Sequence, residues 1–87
     1  MASEERIGVV SHYYSRISVA VIDLRKDLHQ DEMIHFLGTH TDFQQTVQSM
    51  QVDHEYVEQT RAGTQIAVRV KQRVRRNDSV FRLVEQG

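Results

Sequence analysis

Apolar residues along most of the chain recur at every second position, the pattern of strands rather than helices. The first run, Ile7-Gly8-Val9-Val10-Ser11-His12-Tyr13-Tyr14, is rich in β-formers, and Gly8 inside it predicts a bulge or a close backbone approach. Ser15-Arg16 turns the chain into a second run, Ile17 to Leu24. There Ile17, Val19 and Val21 face one way and Ser18, Ala20 and Ile22 the other. Both faces are largely apolar, which places this strand centrally. Met33 to Leu37 forms the third run, with Ile34 and Phe36 inward and His35 outward. A long polar–apolar run from Phe43 to His54 follows. Phe43 and Val47 share one parity and Met50 and Val52 the other, so a β-bulge is expected near Gln48-Ser49. Glu55 to Arg61 reads as loop, with Val57 tucked inward, and Ala62-Gly63 as a turn. Ile66, Val68 and Val70 then point inward while Ala67, Arg69 and Lys71 point out. Arg75 to Asp78 turns the chain into a last strand, Val80 to Val84.

Short strands at this spacing with no convincing helix predict an all-β barrel or sandwich. The one helix-compatible stretch, Asp53 to Arg61, is too short to count. Closing the sheet is the clean way for so small a protein to protect its edges. The expectation is a small closed antiparallel barrel of about six strands over residues 7–84, with tails at 1–6 and 85–87.

Composition narrows the class. The chain has 87 residues, a single domain, with 39% hydrophobic and 26% charged residues, a soluble balance. No apolar run approaches the roughly 20 residues that cross a bilayer, and the acidic start lacks a secretory signal core. Cysteine is absent, which excludes disulfides and fits the expected cytoplasmic location. Net charge is −1 but unevenly spread. Residues 1–60 carry a net −6 and residues 61–87 a net +5. Such asymmetry marks either a polyanion-binding face or a set of strands that mix their charges in space.

Several stretches resemble a known family. IDLRKDLHQDEMIHFLG, DFQQTVQSMQVDH and RAGTQIAVRVKQRVRRNDSVF are similar to the second-domain β-barrel of the translational GTPases. Leu28, Ile34, Val47, Ser49, Met50, His54, Ala62, Gly63, Ile66 and Val80 occupy the matching places, and the likeness runs from about Ile7 to Leu83. It is closer to small free-standing relatives and to the C-terminal barrel of collagenase-like peptidases, where the opening motif resembles Ile7 to Tyr14. Asp31-Glu32 and Asn77-Asp78 stand where that pattern has Gly-Asp turns, and Asp and Asn tolerate a left-handed backbone at small cost. Arg61-Ala62 stands where the pattern commonly has proline. No G-x-x-x-x-G-K-[ST] loop is present, so nucleotide hydrolysis is excluded.

The chemistry left to weigh is modest. Arg69, Lys71 and Arg73 on one strand face would stand about 6.8 Å apart, close to a phosphate spacing, and Arg75 and Arg76 extend the patch. The same bases on a strand face are also what a solvated, aggregation-resistant edge requires. The resemblance implies contact with tRNA or ribosomal RNA through these five residues, with Tyr13, Tyr14 and Phe81 expected in or half in the core. The competing expectation is a docking module for a partner protein with no nucleic-acid role. His12, His29, His35, His40 and His54 show no metal-ligand spacing; His35 and His40 could meet across a loop, and His12 and His54 are expected in structural hydrogen bonds. Ser11-His12 and Ser49 with His54 are the only suggestive nucleophile neighbours, and adjacent strand residues point apart. No enzyme activity, cofactor, metal or membrane contact is expected.

Overall fold

The computed structural model describes residues 2–85, and these form strands and turns only. In chain order the strands are β1 (Ala2–Tyr14), β2 (Val19–Leu24), β3 (Leu28–His29), β4 (Met33–Gly38), β5 (Thr41–Thr46), β6 (Met50–Val52), β7 (Glu55–Val57), β8 (Gln59–Thr60), β9 (Gln65–Arg69) and β10 (Ser79–Glu85). Eight of them build one antiparallel sheet in the order β5-β4-β10-β1-β2-β9-β6-β7, and β3 pairs with β8 separately. No helix among the described residues is long and apolar enough to cross a membrane.

The core follows the expected parity. Ala20 and Ile22 of β2, Ile34 and Phe36 of β4, and Ile66 and Val68 of β9 are all buried. Val70, Val74 and Val80 join them, and Phe36 stacks on Phe43 at 5.1 Å between ring centroids. β1 lies at the centre, between β10 and β2, and is bent twice. Its register slips between Arg6 and Gly8 against β10, which turns Ile7 inward as an extra residue. A Cβ at Gly8 would stand 2.6 Å from the Asp23 carbonyl oxygen, so both the bulge and the close approach expected of this glycine are present. A second slip, between Val10 and His12, leaves Ser11 over; its hydroxyl donates to the Val21 carbonyl at 3.2 Å, and His12 turns to the outer face.

Four sequence expectations need correction. The run from Phe43 to His54 is not one bulged strand, although its parity does switch between Val47 and Met50. The switch is a full break, because the backbone there leaves the ladder. The Val47 N–H donates to the Glu32 carbonyl and the Val47 carbonyl accepts from the Asp31 N–H. Residues 55–61, read as loop, contain β7 and β8; β6 and β7 form a hairpin on the two-residue turn Asp53-His54. Both turn residues have positive φ, 51° and 68°, as a type I′ turn demands. β1 begins at Ala2, inside the stretch read as a tail, because β10 supplies a ladder that the polar sequence gave no hint of. Finally, the sheet has more strands than expected and, among the described residues, no ladder closes it: β5 and β7 are its edges.

What joins the edge of β5 to the rest is a side chain. The Gln45 amide donates to the Arg69 carbonyl at 2.9 Å and accepts from the Lys71 N–H at 2.9 Å. It thus does for β5 and the end of β9 what a ladder rung would do. From there residues 70–78 pass along β5 toward Gly38, where a Cβ would collide with the Asp78 carboxylate. Val70 and Val74 of this segment are buried and pin it to the core, which Val57 also packs against. The two turns that stand in for Gly-Asp have the expected left-handed residue, Asp31 at φ 74° and Asn77 at φ 76°. Each costs on the order of 1 kcal/mol relative to glycine.

Candidate nucleic-acid interface

The five basic residues singled out by the sequence are all exposed. Their geometry differs from a straight strand face. β9 ends at Arg69, since neither β2 nor β6 extends to offer Lys71 a partner, and the Lys71 N–H turns to Gln45 instead. The bases therefore distribute over a bent segment. Arg69 and Lys71 border a cleft of about 420 Å³ at the Gln45 seam, shared with Gln44, Thr46 and Met33. Arg75 and Arg76 border a second cleft of about 380 Å³ beside His40 at the β4–β5 hairpin. Arg73 lies between them in the chain. Asp78 shapes this end: it is buried, its carboxylate accepts from the Arg75 N–H at 2.8 Å, and its own N–H donates to the Arg75 carbonyl.

None of the five charged heads has a carboxylate within ion-pairing distance among the described residues. Five of the chain's acids, Glu4, Glu5, Asp27, Glu32 and Asp42, are engaged elsewhere. Arg82 faces the inner side of β10 and is held by three carboxylates. Its guanidinium reaches Glu5 at 3.1 Å, Glu32 at 3.2 Å and Asp27 at 3.4 Å. Burial alone would lower the Arg82 pKa, but Glu32 first, then Glu5 and Asp27, raise it above its ordinary value. Asp27 answers in the other sense: desolvation pulls its carboxyl upward, and the Arg82 charge and hydrogen bond overcome that and leave it below the usual range.

His35 is the second side chain held between carboxylates. Nδ1 faces Glu4 at 2.5 Å and Nε2 faces Asp42 at 2.6 Å. Only an imidazolium can donate from both nitrogens at once. Desolvation works against that charge, yet the hydrogen bonds to Asp42 and Glu4 together hold the His35 pKa above its ordinary value. His35 and His40 do not meet: His40 lies with Arg75 and Arg76. Among the described residues no group of three His, Cys, Asp or Glu side chains converges on a metal position.

Two further expectations are overturned. The imidazole rings of His12 and His54 are exposed and enter no hydrogen bond among the described residues; the His12 ring instead lies edge-on to Tyr14, with ring centroids 4.3 Å apart. Tyr14 is not a core residue, being 50% exposed, whereas Tyr13 and Phe81 are half-buried as expected. The bulge at Ser11 is what the sequence did not signal: it rotates His12 and Tyr14 together onto the outer face. No hydrogen bond joins a serine to a histidine among the described residues.

The fold has solved counterparts. It superimposes on the crystal structure of the C-terminal domain of a Geobacillus thermoleovorans protein described as a U32 peptidase, with a TM-score of 0.84, covering 90% of this chain and 91% of that domain at 16% identity. The selenomethionine variant of that domain gives 0.83 over 87% and 96% of the two chains, again at 16% identity. The likeness to the C-terminal barrel of collagenase-like peptidases is thus one of fold, and the likeness to the translation-factor domain is not shown by these structures. In sequence the chain is 36% identical over 80 residues to an uncharacterized protease of Methanocaldococcus jannaschii. That match covers 91% of this chain but spans only about a fifth, 20%, of the relative's length. No protein-family model matches the chain.

Proposed function

We propose that the chain is a non-catalytic accessory module that binds RNA through Arg69, Lys71, Arg73, Arg75 and Arg76. The observation that carries this reading is the division of charge. Glu5, Asp27 and Glu32 hold Arg82 and Glu4 and Asp42 hold His35, while five exposed bases without carboxylate partners among the described residues fall together within residues 69–76. Unpaired cations on a curved segment can follow a phosphate backbone and release its counterions. The match to about a fifth of a much longer protease supports an accessory role, with any reaction carried by other parts of such a protein. The cytoplasmic location expected from the cysteine-free sequence belongs to this proposal.

The test is a titration with tRNA or a ribosomal RNA fragment at low salt, repeated as salt is raised. Contact with three to five phosphates of a single strand gives a log–log slope of about −2 to −3.5. Replacing Lys71, Arg73 and Arg76 by Glu should abolish binding at low salt. Failure of the wild-type chain to bind, or binding indifferent to the reversal, refutes the reading. The competing role, docking onto a separate protein without RNA, is favoured by the exposed Met33 at the Gln45 seam, and nuclease-resistant capture of one specific protein would establish it.

A further inference from the structure

The outer face of β1, β2, β9, β6 and β7 presents side chains in rows set by the ladder. In one row Tyr14 stands opposite Val19, and Val19 opposite Arg69. In the next, His12, Val21, Ala67, Gln51 and Tyr56 follow one another across five strands. Residues paired directly across a ladder share a face of the sheet. The result is a floor of small apolar side chains, Val21 and Ala67, with Tyr14 as an aromatic wall at one side. Tyr56, 74% exposed, stands at the far side. The hollow has a volume of about 390 Å³, and Asp53 and His54 form its opposite lip. Both of those residues are held at positive φ, where glycine or asparagine would be less strained.

Arg69 lies in the same row as Tyr14, two strand spacings or roughly 10 Å away, and opens the unpaired basic segment. A flat ring face beside a cation at that distance suits a base and its phosphate together. We propose that this face seats an unpaired nucleobase of RNA: the base lies over Val21 and Ala67 and stacks on Tyr14, and Arg69 takes the adjoining phosphate. His12, edge-on to Tyr14, is a positioning residue that fixes the plane of the phenol ring. The proposal rests on the RNA-binding reading and deepens it, since a stacking seat selects single strands over duplex, which the bases alone do not.

The experiment compares a labelled oligoadenylate with a duplex RNA of the same length by fluorescence anisotropy. The wild-type chain should prefer the single strand. Tyr14→Ala should weaken oligoadenylate binding about ten-fold or more without altering the salt slope, and should leave duplex binding unchanged. Tyr14→Phe should bind as wild type. Ala67→Leu, which fills the floor, should reproduce the Tyr14→Ala loss, and thermal unfolding of each variant separates lost binding from lost fold. Equal binding of both RNAs together with an indifferent Tyr14→Ala variant overturns the base seat while leaving the electrostatic reading intact. Absence of binding to either RNA refutes both.

Discussion

Two groups of charges in this molecule are treated in opposite ways. Around Arg82 and His35, on β10 and β4, every cationic head is matched by two or three carboxylates drawn from other parts of the chain. Along residues 69–76 five cations of the same kind have none among the described residues. The first arrangement ties distant segments together: Glu4 and Glu5 bring the polar start of β1 onto the sheet, and Asp27 and Glu32 fix the turns before and after β3. The second adds nothing to cohesion and leaves the bases available. The same residue type is therefore tied down in one region and left exposed in the other, and the difference is set by what stands across from it.

The largest break in this comparison comes from Arg82→Ala. It leaves Glu5, Asp27 and Glu32 facing one another without their common partner. Loss of a fully buried pair costs about 3–5 kcal/mol; because these carboxylates are partly exposed to solvent, about 2 kcal/mol is expected, read from the urea midpoint. Next comes the pH dependence of His35. Its folded pKa lies above the unfolded value, so its contribution is complete below about pH 6.5 and fades as pH rises through the raised folded pKa. Stability should therefore fall on going from mildly acidic to alkaline pH, a loss that His35→Gln removes. The exposed Asp42 partner keeps this effect small. The smallest effect on folding is expected from Arg73→Glu and Arg76→Glu, within about 0.5 kcal/mol by urea unfolding, although both should weaken RNA binding. Should these two reversals unfold the protein instead, the second group of charges is structural and the contrast disappears.

Much of the fold was legible because parity is a local property. Ile66, Val68 and Val70 declared their inner face, as did Ile34 and Phe36, and the parity change between Val47 and Met50 was visible before its mechanism was. What parity cannot report is where a strand finds its partner. Ala2 to Arg6 became strand because β10 lies beside it, and Lys71 left the strand because no neighbour reaches it. The candidate bases were named correctly as exposed, since charge against a run of valines leaves no other choice. Their freedom from carboxylates was invisible, because Glu4, Glu5, Asp27 and Glu32 find His35 and Arg82 only through tertiary contacts across 31 to 77 residues of sequence. Tyr14 was misjudged for a related reason: the extra residue at Ser11, which turns it outward, carries no signature in a stretch of β-formers.

The Gln45 amide has one more consequence. Two lips of the sheet meet there through a single group whose nitrogen and oxygen serve opposite ends of the same contact. Conversion of that amide to an acid, as in Gln45→Glu or by slow hydrolysis with age, keeps the shape and the oxygen that meets Lys71 but turns the nitrogen into an oxygen aimed at the Arg69 carbonyl. A zipper tooth becomes a wedge through the exchange of one atom, and it sits directly under the first two bases of the segment that the molecule leaves unclaimed.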